Sequence, residues 1–109
     1  MSRRTLILSS SWLVLMVAVA PALADDVDVT QKNKTFLPGE VTLKVGDSIV
    51  FHNEDSFTHN MFSRSEDHEF NLQLQNPGED LRQTFDQPGT ALVRCAIHPK
   101  MKLVVKVEE

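Results

Sequence analysis

Short runs of apolar and β-branched residues, separated by clusters of Gly, Pro, Asn and Asp, occupy the chain from Asp26 to its C-terminus. Many of these runs alternate between apolar and polar residues, which is the period of a strand that packs one face against a core. No segment shows a convincing helical period. We therefore predict an all-β domain, a sandwich or barrel with Greek-key connections.

The individual strands can be placed from the same alternation. The first predicted strand is Asp26–Thr30. The runs Val41–Val45 and Ser48–Asn53 follow, and because Gly46 and Asp47 between them favour a turn, we predict a β-hairpin. Three later strands are predicted at Asp80–Phe85, Thr90–Cys95 and Met101–Val107.

The segment Glu54–Gly78 is the least regular part of the chain. We expect it to hold an irregular strand, a turn of helix and a long loop. A small β domain must bury its large apolar side chains. Five phenylalanines are therefore expected in the core: Phe36, Phe51, Phe62, Phe70 and Phe85.

The N-terminus has the pattern of an export signal. Arg3 and Arg4 precede an apolar run over residues 12–20, and the small-residue sequence Ala-Leu-Ala follows at 22–24. We predict that residues 1–24 are a signal peptide and that cleavage leaves 25–109 as one exported, periplasmic domain. The apolar run is shorter than the roughly 20 residues of a spanning helix, which makes a membrane anchor the weaker alternative. The general secretory and twin-arginine routes both fit.

The charge of the exported part restricts its partners. Loss of Arg3 and Arg4 changes the formal net charge from −4 to −6. An excess of acids opposes binding to nucleic-acid phosphates and predicts partners with a basic docking face. The 85 residues that remain of 109 suffice for one domain of modest core, which we expect to be a monomer.

A single cysteine, Cys95, is unusual in an exported chain, because the oxidising compartment normally pairs cysteines as disulfides. It stands in the sequence CAIHPKM, which places a thiol, the His98 imidazole and the Met101 thioether at three-residue intervals. A type 1 copper site needs a thiolate, two neutral imidazoles and a distant thioether. This stretch supplies all but one imidazole, so we predict a copper site.

The second imidazole has three candidates. His59 lies in the turn-like sequence DSFTHNMFS, just before Asn60, which could tie this loop to the cysteine loop. His52 lies within a predicted strand beside Phe51, so that alternation turns it outward. His68 is flanked by acids and is expected to be a solvated loop residue. His59 is therefore the preferred ligand.

The sequences CAIHPKM and HNMF together resemble the cupredoxin family of small blue copper proteins, and the Cys-x-x-His-x-x-Met spacing is most similar to that of amicyanin-like and plastocyanin-like members. The resemblance extends to FLPGEVTLKVGDSIVFHNEDSFTHN and FDQPGTALVRCAIHPKM. It implies a cupredoxin fold with one copper held by His59, Cys95, His98 and Met101. It also implies that Asn60 braces the thiolate and joins the two loops.

The resemblance implies a carrier of single electrons between redox proteins, which is not an enzyme. The alternative is a copper chaperone or resistance protein, which would transfer the metal itself and would need a labile, accessible site. Pro99 should hold His98 extended and stiffen the loop, which suits a site that rearranges little on changing oxidation state. A stiff loop therefore favours the electron carrier.

Other interpretations of these residues stay open. Cys95 could be a buried small hydrophobe and Met101 core filling, and Met61 is a rival thioether that we interpret as core. The acids Glu54 and Asp55 are expected in a solvated turn. A cluster of acids between β-runs is expected either to be solvated or to dock a basic partner: Glu66, Asp67 and Glu69.

Overall fold

The computed structural model of the protein describes residues 9–16 and 23–109. Most of the predicted signal peptide, residues 1–8 and 17–22, lies outside the described residues. The described part contains nine strands and no helix, and so nothing helical in it could span a membrane. The strands are β1 Asp26–Lys32, β2 Thr35–Leu37, β3 Glu40–Lys44, β4 Ser48–Asn53, β5 Met61–Ser63, β6 Phe70–Asn71, β7 Asp80–Thr84, β8 Gly89–Cys95 and β9 Lys102–Glu108.

The strands form two sheets, which confirms the predicted all-β sandwich. One sheet has the order β2-β1-β4-β7 and the other β3-β9-β8-β5-β6. The pairs β1–β4 and β3–β9 are parallel, and the remaining pairs are antiparallel. Because parallel neighbours need a crossover connection, the chain passes repeatedly between sheets, as in a Greek-key sandwich.

Alternation along the strands builds the core between the sheets. In β8, Ala91, Val93 and Cys95 are buried while Leu92 is 37% exposed, as predicted for this strand. The neighbouring β9 buries every second residue in the same way. Cys95 thus ends a core-facing series, at the point where β8 leaves the sheet.

The predicted hairpin of Val41–Val45 and Ser48–Asn53 is wrong. β3 pairs with β9 in one sheet, and β4 pairs with β1 and β7 in the other. Gly46, with a φ of 95°, and buried Asp47 turn the chain from one sheet to the other, and the Asp47 carboxylate accepts hydrogen bonds from the Lys44 and Asp25 amides at 2.9 Å each. Alternation identifies the core face of a strand but not its partner, since both strands turn apolar residues into the same core.

The irregular segment 54–78 holds the short strands β5 and β6 and an isolated antiparallel bridge between His59 and Gln75. The predicted turn of helix does not occur there. His68 is not the solvated residue that its acidic neighbours predict, because it is 6% exposed and its Nε2 lies 2.8 Å from the Gln87 carbonyl oxygen. Gly89 lets it approach, since a Cβ there would lie 3.3 Å from the His68 ring.

The aromatic core is smaller than predicted. Phe36, Phe51 and Phe85 are buried, and Phe70 packs against this core while half-buried. Phe62 instead lies on the outer side of β5, with the Arg64 guanidinium 5.5 Å from its ring. A three-residue strand gives too short an alternation to fix which of its faces is inward.

Candidate metal centre

The loop between β8 and β9 brings Cys95 and His98 together. Cys95 is 1% exposed and His98 is half-buried. The Met101 amide donates to the His98 carbonyl at 3.0 Å, which closes a tight turn around Pro99. The Arg94 guanidinium donates to the Pro99 carbonyl at 2.7 Å, so the loop is held from the strand as well.

A second loop places His59 beside this one. The His59 amide donates to the Gln75 carbonyl at 3.0 Å, and the Gln75 amide donates to the His59 carbonyl at 2.8 Å. The Gln75 side chain is fully buried and donates to the carbonyls of Phe51 and Glu79 at 2.9 and 2.8 Å. Gln75 thereby anchors the backbone of His59 to the end of β4, a role that no sequence pattern indicated.

Three donor atoms converge between the two loops, from His59, Cys95 and His98, and all lie within 4.8 Å of one another. The Cys95 Sγ is 3.6 Å from the His59 Nδ1 and 3.8 Å from the His98 Nδ1. With a metal–sulfur distance of about 2.3 Å, a metal–nitrogen distance of about 2.0–2.1 Å and trigonal angles, sulfur and nitrogen lie roughly 3.7 Å apart. The side chains are therefore spaced to share one ion without rearrangement.

Asp55 sets which nitrogen of His59 faces the sulfur. Its Oδ2 lies 2.8 Å from the His59 Nε2, and both side chains are buried. An ionised carboxylate only accepts hydrogen bonds, so the His59 Nε2 carries the proton and the Nδ1 lone pair points toward Cys95. A carboxylate behind a ligating imidazole also increases its strength as a donor.

Asp55 is not the solvated turn residue that the sequence predicts. It is 9% exposed and accepts hydrogen bonds from the backbone amides of Asn33 and Lys34, the latter at 3.2 Å. Burial acts to raise its pKa, but the hydrogen bonds from His59 and these amides outweigh burial, so the pKa of Asp55 lies below its usual range. The carboxylate stays ionised behind His59.

The backbone of Asn60 joins the two loops, as the family resemblance implies. Its amide lies 3.3 Å from the Cys95 Sγ, and its carbonyl accepts a bond from the Ala96 amide at 2.9 Å. Its side chain does not reach the cysteine loop and donates to the Asn71 Oδ1 at 2.7 Å instead. An amide aimed at the sulfur favours the thiolate, which is the form that binds metal.

An aromatic ring packs against both imidazoles. Phe57 lies 5.3 Å from the His59 ring and 5.1 Å from the His98 ring, measured between centroids. Desolvation lowers the pKa of His98, and the neighbouring His59 and Lys34 act in the same direction. A lowered pKa keeps the His98 imidazole neutral near pH 7, which is the form that ligates metals.

Of the remaining candidate ligands, Met101 lies next to the site, whereas Met61 and His52 have other partners. Met101 is 1% exposed and lies between the turn that carries His98 and the start of β9. Met61 is fully buried, as predicted, and its Sδ accepts a hydrogen bond from the Gln31 Nε2 at 2.8 Å. His52 faces outward, as alternation predicts, and its two ring nitrogens lie against carboxylates rather than near Cys95.

Known proteins resemble this chain throughout the region that contains the site. A model of copper-binding proteins of the plastocyanin/azurin family matches residues 23–108. The methylamine utilization protein MauL of Methylorubrum extorquens is 33% identical over 84 residues, which are 76% of this chain and 74% of MauL.

Solved structures share the fold. The copper-containing nitrite reductase of Thermus scotoductus superposes on 77% of this chain with a TM-score of 0.71 and 29% identity, and the chain spans only 22% of that enzyme. An amicyanin mutant with Cu(I) superposes with a TM-score of 0.71 and 22% identity; the match covers 76% of this chain and 82% of the amicyanin chain. A purple cupredoxin from Nitrosopumilus maritimus superposes with a TM-score of 0.67 and 22% identity; the match covers 76% of this chain and 100% of the cupredoxin.

The family match and the donor set agree on the metal. One sulfur and two imidazole nitrogens suit copper in both of its common oxidation states, and the match covers the segments that supply all three donors. The protein is a copper-binding protein.

Proposed function

The chain belongs to the plastocyanin/azurin family of copper-binding proteins, and from that premise we propose that it carries single electrons between redox proteins. Bound copper would supply the one-electron Cu(II)/Cu(I) couple. The chain itself would transform no substrate and so would not be an enzyme. Its residues would hold the ion in one geometry and present one edge of the site to a partner.

We assign the ligands from the geometry. Cys95 would be the thiolate, and His59 and His98 the two imidazoles, each binding through Nδ1. Met101 would be the distant axial ligand, since it is buried next to the turn that carries His98. The Asn60 amide would brace the thiolate.

The observation that carries the proposal is the spacing of the Cys95 sulfur from the two Nδ1 atoms in a site that is already braced. Cys95 and His59 are almost completely buried; the Asn60 amide donates to the Cys95 sulfur, and Asp55 accepts a hydrogen bond from the His59 Nε2. A braced, buried site changes little between oxidation states and releases its ion slowly. Both properties favour transfer of electrons over transfer of copper.

The cellular setting belongs to the same proposal. Residues 1–24 would direct export and be removed, which places residues 25–109 in the periplasm. The exported domain would act as a monomer that meets donor and acceptor in turn, without nucleic acid or a membrane span. Net charge alone favours a partner with a basic face, whereas the charges nearest the site decide the contact surface.

Voltammetry and chelator competition on the copper-loaded protein distinguish an electron carrier from a copper chaperone. We expect the Cu(II) protein to be reduced and reoxidised over many voltammetric cycles, and to lose copper to an excess of a high-affinity Cu(I) chelator far more slowly than it exchanges electrons. Rapid, complete transfer of copper to the chelator, or an irreversible wave, would favour the chaperone instead. Cys95→Ser, which removes the thiolate, is the control: it should give no comparable reversible wave.

A further inference from the structure

A shallow depression of about 340 Å³ lies at the surface of the metal centre, lined by Lys34, Ile97, His98, Pro99 and Lys100. We call these five residues the His98 face. The side chain of Ile97 is 44% exposed and, with that of Pro99, makes the centre of the face apolar. The two lysines contribute ammonium groups, and none of the described residues that line the face carries a carboxylate.

Contacts hold positive charge beside this face. The Lys34 ammonium lies 5.5 Å from the centroid of the Phe57 ring, and that ring is 5.1 Å from the His98 ring. A cation–π contact of this kind keeps the ammonium near the imidazole. The Arg94 guanidinium donates to the Pro99 carbonyl at 2.7 Å and adds a third cation next to the loop.

The strand register places many of the exposed acids at the end of the sandwich away from the copper. Along the β8–β9 pair, Gly89 lies opposite Val107 at one end and Arg94 opposite Lys102 at the other, where the ligand loop is. Backbone hydrogen bonds of the turn after β3 and the contact of His68 with Gln87 show that a set of exposed acids lies at the end away from the copper. These are Asp25, Glu66, Asp67, Asp86, Glu108 and Glu109.

Other exposed acids do lie toward the copper end: Glu54 after β4, Glu79 before β7, and Asp80 and Glu40 at the starts of β7 and β3. Asp80 pairs with His52 at 2.7 Å and Glu40 with Lys106 at 2.8 Å. Glu69 lines a separate depression with Arg64 and Ala96. None of these acids lines the His98 face. The Glu79 carboxylate is also engaged by the Asn76 side chain at 2.9 Å. The charge nearest the exposed ligand is therefore positive although the whole chain is negative.

We propose that the His98 face docks a redox protein whose own cofactor edge is surrounded by carboxylates, with apolar contact at Ile97 and Pro99 and ion pairs to Lys34 and Lys100. The proposal rests on the electron-carrier function. For the contact surface, it replaces the basic partner expected from net charge alone, because fields within about 10 Å dominate at physiological salt.

Two small oxidants of opposite charge test the sign of the face without the natural partner. The reduced copper protein gives one electron to hexacyanoferrate(III), an anion, or to tris(1,10-phenanthroline)cobalt(III), a cation. We expect the rate with the anion to fall as salt is added, because attraction to the His98 face is screened. If the net charge governed the encounter, that rate would rise with salt.

Two double variants with the same change of net charge test whether the lysines of the His98 face attract the anion. Lys34→Gln with Lys100→Gln should lower the low-salt rate with hexacyanoferrate(III) about tenfold, whereas Lys44→Gln with Lys106→Gln, which changes the net charge equally, should change it less than twofold. The reduction potential of each variant is measured and the rates are compared at equal driving force. Visible spectra check that the copper site is intact.

A redox-inert anion gives a second measurement that does not depend on electron transfer. Hexacyanochromate(III) is paramagnetic, so it should broaden the amide NMR signals of Ile97 and Lys100 in the reduced protein and leave those near Lys44 sharp. Broadening near Lys44 instead, together with a hexacyanoferrate(III) rate that rises with salt, would overturn the docking proposal. A protein that exchanges electrons with neither oxidant would contradict the electron-carrier function itself.

Discussion

A single carboxylate determines how His59 can meet the metal. Asp55 holds the proton on Nε2, so the Nδ1 lone pair faces the Cys95 sulfur. Two backbone amides hold Asp55 in turn, so the imidazole has little freedom to rotate away. The ligand is in this way positioned before any ion binds.

Replacing Asp55 by asparagine should weaken the site without removing a ligand. An amide cannot supply the negative charge that strengthens the imidazole donor, so we expect the Cu(II) affinity of Asp55→Asn to fall about 10–100-fold and its reduction potential to rise. Competition with a chelator measures the affinity, and voltammetry the potential. Asp86→Asn, an equal change of charge at an exposed position, is the control. Equal affinities of the two variants would contradict this role.

The sequence allowed the ligand loop to be predicted because Cys95 and His98 are close along the chain and end an alternating strand. It did not reveal Asp55 or Gln75, although both hold His59. Their roles depend on a turn and on a bridge across 16 residues, and a short polar run has the same appearance whether it is solvated or folded inward. The same ambiguity explains the wrong prediction for His68.

At the scale of strands, the outer face of the four-stranded sheet carries a bridge across three neighbours. The His52 Nδ1 lies 2.7 Å from Asp80 on β7, and its Nε2 lies 2.8 Å from Asp28 on β1. The hydrogen bonds to Asp28 and Asp80 raise the pKa of His52 above its ordinary value. The nearby charges Arg82 and Asp26 pair with each other at 2.6 Å. The charged imidazole therefore ties β1, β4 and β7 together.

This bridge should make stability depend on pH in a defined direction. The folded protein holds the His52 proton more tightly than the unfolded chain, so the stabilisation is complete below about pH 6.5 and is lost as pH rises through the raised pKa. Removing both carboxylates in Asp28→Asn with Asp80→Asn should cost up to about 1 kcal/mol at pH 5.5 and less at pH 9.

Urea unfolding of the wild type and the double variant at both pH values measures this difference. Asp86→Asn controls for the general effect of losing negative charge. A loss of stability that is the same at pH 5.5 and pH 9 would show that the imidazolium form has no special part in the bridge.

The strands themselves were largely predictable, and their partners were not. Alternation located β8 and its buried face to within one residue, but the same alternation in β3 and β4 predicted a hairpin where the chain changes sheet. Register with a distant strand, such as the parallel pairing of β3 with β9, depends on the whole fold and leaves no local signal.

For the whole molecule, the proposed copper site connects segments from both sheets. His59 lies on the segment that follows β4 of the four-stranded sheet, and Cys95 ends β8 of the five-stranded one. An ion held by both belongs to the folded state, because the two donors are 36 residues apart in the unfolded chain. Metal binding should therefore stabilise the fold.

Copper should raise the free energy of unfolding by an amount set by its affinity. At a free Cu(II) concentration about 1,000 times the dissociation constant, the increase is about 4 kcal/mol. Denaturant unfolding with and without copper measures it for the wild type and for Cys95→Ser. The serine variant should lose most of the increase, and an equal increase in both proteins would mean that the copper binds elsewhere.

The most direct test of the metal centre is the visible absorption spectrum of the Cu(II) protein. Because the Cys95 sulfur lies beside both imidazoles, we expect an intense thiolate-to-copper band in the wild type and none in Cys95→Ser. A wild-type protein that binds Cu(II) without such a band, or a serine variant that keeps it, would contradict the assignment of Cys95, His59 and His98 to one copper ion.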